Sequence, residues 1–190
     1  MKKTAIFSAI ILGACAHQVL VDTTAYLQDS QATAKQFVEQ LGGTLKKQIE
    51  TGGVPSAIPV CKEIAPALAK QYSTESKLVK RVSNKARNVK LGTPDAWEQD
   101  ALTKLTAQIA ANPAGQSFEV SEVVRENDGQ YFRYAKAIRA QPMCLQCHGQ
   151  AQDIKPEIKQ ALDEHYPNDV ATGYKAGDLR GAVSIKHKIK

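Results

Sequence analysis

The sequence predicts an α+β fold: an N-terminal helical region, then a small antiparallel sheet with flanking helices. Two observations predict it. Apolar residues recur three and four apart as far as about residue 111, and beyond it β-branched and aromatic residues fall into period-two stretches. A third observation, the turn "ENDGQ" between two such stretches, marks a hairpin, and helices segregated from an antiparallel sheet define the class.

In chain order, "DSQATAKQFVEQLGGTLKKQIETGG" sets Phe37, Val38, Leu41, Leu45 and Ile49 along one helical face, weakened by Gly42–Gly43 and stopped by Gly52–Gly53. "SAIPVCKEIAPALAKQYS" restarts a helix with Ser56 as N-cap and Pro59 in its first turn, and turns Ile58, Cys61, Ile64, Ala65 and Leu68 to one face. "TPDAWEQDALTKLTAQIAANP" takes Thr93 as N-cap and Pro94 at the first helical position, and presents Trp97, Ala101, Leu105 and Ile109. Strands are expected in "QSFEVSEVVREN", "DGQYFRYAKAIR" and "RGAVSIKHKI". A short helix, "KPEIKQALDEHY", and the Gly-rich turn "ATGYKAGDLRG" precede the last of them. No repeat or low-complexity segment interrupts this order.

The 190 residues suffice for one domain with its own core. Residues 1–14 read as a signal peptide, in which Lys2 and Lys3 precede an apolar run too short to span a bilayer. "LGAC" resembles a lipobox with Cys15 as the lipidated residue, while the overlapping "ACA" fits a signal-peptidase site that would discard it; the lipoprotein is favoured. Either route takes the chain out of the cytoplasm, to a periplasmic location and a membrane contact made only through the lipid. Residues 15–40 are expected as an N-terminal linker or helix, and 41–190 as the folded domain. The formal charge of +6 becomes +4 without Lys2 and Lys3, spread along the chain and lacking the basic, aromatic-interleaved stripe of a nucleic-acid binder.

Four cysteines remain to be explained: Cys15 by the signal, Cys144 and Cys147 by "MCLQCHG", and Cys61 by nothing else in the count. A Cys-x-x-Cys-His run attaches haem covalently. Each thiol adds across one vinyl group, two intervening residues let both sulfurs reach adjacent pyrroles, and His148 lies under the iron as proximal ligand. A redox pair, a zinc site completed by Cys61 or His165, and a disulfide are the competing readings. The redox pair belongs at a helix N-terminus after a βα unit, and zinc sites bring a second close-spaced ligand pair. Neither pattern is present here. For the iron's far side, Met143 adjoins Cys144 and cannot reach across, and Met1 leaves with the signal. The candidates are His17, His165, His187, Cys61, a lysine or an open position. Arg81, Lys85, Arg87 and Arg133 are candidate partners for the two haem propionates.

Four separated motifs, "GGVPSAIPVCKEIAPALA", "KRVSNKARN" with "PDAWE", "MCLQCHG" and "YPNDVATGYKAGDLRGAVSI", resemble the PAS-like c-type haem family with His/Cys axial ligation. The resemblance covers about Leu41 to His187. It implies a PAS-like antiparallel sheet and a single covalent haem c. It also implies Cys61, the cysteine of the "AIPVC" motif, as distal axial ligand. Two places depart from the family pattern: Val89 stands where proline usually follows "RN", and the proline usual near Ala137 is missing.

A thiolate ligand stabilises ferric iron, so a low reduction potential is expected. With both axial positions filled, electron transfer with partner cytochromes is expected rather than catalysis. A haem-based sensor acting through a separate protein is the alternative.

Overall fold

The computed structural model describes residues 21–189; the expected signal, Cys15 and His17 lie outside them. The first element, α1 (Thr24–Tyr72), is two helical arms joined at Gly53, whose φ of 75° and ψ of 172° suit glycine alone. Gly52–Gly53 therefore ends the first arm as the sequence implies. Ser56 is not an N-cap: its hydroxyl donates back to the Gly53 carbonyl at 2.8 Å and steadies the bend. The arms fold against each other, with the Tyr72 hydroxyl 2.9 Å from Gln40 Oε1 and the Phe37 and Tyr72 rings 6.3 Å apart.

Four strands follow, β1 (Lys77–Val82), β2 (Glu119–Glu126), β3 (Gly129–Arg139) and β4 (Leu179–Lys188), in the antiparallel order β1-β4-β3-β2. The sequence reading missed β1, taking "KLVKR" as a basic cluster; paired with β4, its Val79 and Val82 are buried. Period-two geometry sends successive side chains to opposite faces. Val79, Phe132, Tyr134, Val183 and Ile185 meet Ala34, Phe37 and Leu68 of α1 on one face. Val82, Ala135 and Ala182 meet Ala101, Leu102 and Leu105 of α3 (Ala96–Ala111) on the other. Ala34 and Phe37 are fully buried, so the segment expected as a linker or helix up to residue 40 is helical from Thr24 and contributes to the core.

Asp95, not Thr93, caps α3: its carboxylate accepts from the Glu98 N–H, and the Glu98 side chain accepts from the Asp95 N–H, a reciprocal capping box. The β2–β3 hairpin turns on Asn127–Asp128, and Gly129 supplies the positive φ. Asn88 caps the one-turn helix α2 (Val89–Gly92), whose first position Val89 would accept the proline usual there. Ala137 lies inside β3 and its N–H donates to Phe118 O at 3.0 Å, a bond that proline would remove. A 3₁₀ turn at Pro142–Cys144 leads into α4 (Leu145–His148), and α5 (Pro156–His165) packs Ile158 and Leu162 against Ile58. No helix among the described residues is long and apolar enough to cross a membrane.

Candidate cofactor site

Where β3 ends, Pro142 starts the 3₁₀ turn, and one further helical turn brings Cys144, Cys147 and His148 to the same cavity. Gly149 makes the exit possible, because a Cβ there would stand 2.5 Å from the Leu145 carbonyl oxygen. The cavity measures about 590 Å³, within the range of small-molecule and cofactor sites. Leu41, Leu45 and Ile49 from the first arm of α1 line it, with Ile58, Cys61 and Ala65 from the second. Cys61 and the Cys144–His148 turn thus face one space from different elements, and the hairpin at Gly53 adds the apolar residues of the first arm to the same wall.

His148 is held by its surroundings. Its Nδ1 lies 2.6 Å from the Ala171 carbonyl, which can only accept, so Nδ1 carries the proton and Nε2 keeps its lone pair. Arg180 Nε is 3.3 Å from the same Nδ1, but two donors cannot bond each other, and the shorter carbonyl contact sets the tautomer. Burial, reinforced by Arg180 and Arg87, pushes the imidazole well below its ordinary pKa and keeps it neutral. A ring of bonds braces the turn. Arg87 donates to the Cys147 carbonyl at 2.6 Å and to Asp169 at 2.8 Å. Asp169 in turn accepts the Ala171 N–H at 2.8 Å.

Charge in the cavity wall is one-sided. Eight Lys or Arg side chains and no Asp or Glu line it. Arg87 is neutralised by Asp169. Arg180 is buried with only Ser83 Oγ and the Lys85 carbonyl as further acceptors. Arg81 makes no hydrogen bond or ion pair among the described residues, and burial disfavours its charge. Such cations want an anion from the ligand. Burial also pushes the Cys61 thiol up, partly offset by Arg81 and Arg87, and Cys147 behaves likewise with Arg87. An apolar cavity with two cysteines on one turn, a neutral imidazole, a third cysteine facing them and unmatched guanidinium groups fits a flat apolar cofactor bearing acid groups.

Not every expected residue arrives there. Arg133 is corrected: it projects to the α3 face, paired with Asp95 at 2.7 Å and Glu126 at 3.3 Å and stacked 4.7 Å over Trp97. Its neighbours in β3, Phe132 and Tyr134, face α1, so strand alternation sends Arg133 the other way. Lys85 contacts the Thr172 carbonyl outside the cavity. His187 is not in a basic tail but buried in β4, 3.0 Å from Ser30 Oγ. His165 ends α5, so among the described residues His148 is the one histidine lining the cavity. Arg180, Tyr166 and Asp169 escaped the sequence reading. The signal was the motif "YPNDVATGYKAGDLRGAVSI", which carries part of the family resemblance but from which no site residue was drawn.

A family model, Tll0287-like, matches residues 13–187. The chain belongs to the Tll0287-like family. A solved structure described as the cyanobacterial heme-protein Tll0287 superposes with a TM-score of 0.57 at 24% identity, over 88% of this chain and 97% of that one. The likeness establishes the shared α+β fold of Tll0287-like proteins, the antiparallel sheet with flanking helices. No curated protein matches the chain.

Proposed function

We propose that this Tll0287-like chain is an extracytoplasmic c-type haem protein for low-potential electron transfer, bound through thioethers at Cys144 and Cys147. His148 and Cys61 serve as axial ligands. The observation that carries the reading is the fixed, neutral His148 beside two cysteines in a cavity that Cys61 enters from a separate helix. Its relationship to a protein described as a haem protein supports it. Haem supplies one-electron exchange at its iron when bound. The protein's part is to bind, orient and tune. Ala171 holds His148 with Nε2 directed away from the backbone, Arg87 and Asp169 brace the attachment turn, and the apolar arms of α1 exclude water. Arg81 and Arg180 are positioned to receive the propionates. A Cys61 thiolate, made accessible against burial by Arg81 and Arg87, favours ferric iron and lowers the potential.

Electron paramagnetic resonance of the oxidised, haem-loaded protein beside Cys61→Ala tests the ligand set. A low-spin thiolate signature that disappears in the variant is expected. A high-spin signal, or a bis-nitrogen signature shared by both proteins, would remove Cys61 from the iron. Covalent attachment is read separately from haem that stays with the chain in acidified acetone. A sensor is the second reading, favoured by the position of Cys61 on the arm that follows the Gly53 bend, where loss of the sulfur ligand would reach the helix. Cys15 as a lipid anchor completes the proposal and is read from the mass of the mature N-terminus.

A further inference from the structure

The cavity has an open side of definite composition. Five of its lining residues are exposed: Lys62, Lys70, Lys90, Leu78 and Leu91. Leu91 is 49% exposed, and Leu78, turned by strand alternation to the opposite side of the edge strand β1 from Val79, is 50% exposed. Lys70 and Lys90 have no ion pair among the described residues, and Lys62 reaches only over the Tyr166 ring, 5.9 Å from its centroid. Arg81 and Arg180, deeper in the wall, are the groups placed to take two carboxylates from the cofactor, which leaves the three rim lysines unmatched. These residues come from α1, the β1 edge strand and α2, three elements that meet only in the folded chain.

We infer that this rim is the docking surface for an acidic electron-transfer protein, one that presents carboxylates around a small apolar centre. The inference rests on the haem reading above. Lysines ringing an apolar patch steer an acidic partner by long-range attraction, and desolvated leucines hold it once docked. The surface is the exposed part of the cavity wall, so a cofactor held in the cavity would exchange electrons across the same place. An anionic lipid surface is disfavoured, because the rim offers two leucines rather than a broad apolar face.

The probe is a plant-type [2Fe–2S] ferredoxin of strongly acidic charge, titrated into the haem-loaded protein and followed by chemical-shift changes at about 20 mM and about 200 mM salt, above and below a Debye length of ~10 Å. Binding at low salt that weakens about tenfold at high salt is expected. Lys70→Glu/Lys90→Glu should bind about tenfold more weakly at low salt and lose most of the salt dependence, and Leu91→Ser should speed dissociation. Each variant should keep the wild-type haem absorption spectrum, which shows that it folds and loads. Salt-independent binding, absence of binding, or a double variant that binds like wild type overturns the surface. Binding to vesicles containing phosphatidylglycerol, lost in the double variant while the ferredoxin is ignored, overturns it in favour of lipid. A wild-type chain that carries no haem overturns the functional reading as well, which separates the two failures.

Discussion

Single residues decide how firmly this cavity holds the His148 turn. Arg87 and Asp169 are 11% and 9% exposed at their side chains, a nearly buried pair that also ties down the Cys147 carbonyl. Removing one partner strands the other, which typically costs about 3 kcal/mol. Arg87→Leu is therefore expected to lower stability by about that amount in urea unfolding of the haem-free chain. Asp169→Asn should shift the reduction potential of the loaded protein, since Asp169 holds the Ala171 N–H and Ala171 holds His148. A potential unchanged in Asp169→Asn would show that the imidazole is held without that link. Of these residues, only Arg87 stood out in the sequence. Its basic neighbourhood was visible there, but its carboxylate partner lies 82 positions away.

Elements transmit such local effects, and α1 is the element on which most depends. Gly53 sits in a region of φ and ψ nearly closed to other residues, so Gly53→Ala should destabilise the chain by about 2 kcal/mol and loosen the pairing of its arms. Slower haem loading than in wild type, followed by the growth of the haem absorption band, is the accompanying outcome. At its other end α1 is latched to the sheet through His187, which bonds Ser30 and packs against the stacked pair of Tyr26 and Phe132 rings. Burial lowers the His187 pKa; Lys77 adds to that, and Asp29 at 3.3 Å opposes it. The unfolded chain therefore binds this proton at higher pH than the folded one. Stability should be constant above about pH 6.5 and fall as the pH drops below it, until the folded histidine protonates too. His187→Phe should reduce this dependence in urea titrations at several pH values and leave the share of His148, whose pKa burial also lowers; an unaltered slope would assign all of it to other groups.

Across the whole molecule, the sheet separates two charged systems. Lys80, Glu98, Arg133, Asp95 and Glu126 form a paired network beneath α3, whereas in the cavity under α1 Arg87 pairs with a carboxylate, Asp169, and Arg81 has none among the described residues. The first stabilises the fold and the second awaits a ligand. Arg133→Leu should lower stability by about 3 kcal/mol, because Glu98 is left buried with one cation fewer, while the spectrum of bound haem stays unchanged. Arg81→Leu should do the reverse, with little loss of stability in the haem-free chain and weaker retention of haem added to it. Equal effects of the two variants on haem retention would show that the two systems are coupled through β1.

Local chemistry was sufficient for much of this protein. The Cys-x-x-Cys-His turn, the helical faces carrying Phe37 and Cys61, the break at Gly52–Gly53 and three of the four strands follow from spacing and turn residues, which act over a few positions. The capping of α3 by Asp95 and the edge strand β1 were local too, but propensity signals at Thr93–Pro94 and the lysines of "KLVKR" masked them. Tertiary structure alone decided which side chains share the cavity. It placed Arg180 beside Arg81, sent Arg133 to the far face by strand alternation, buried His187 and aimed the Ala171 carbonyl at His148. The physical reason is range: periodicity fixes the face a residue takes on its own element, whereas the partner across that face is set by how sheet and helices pack.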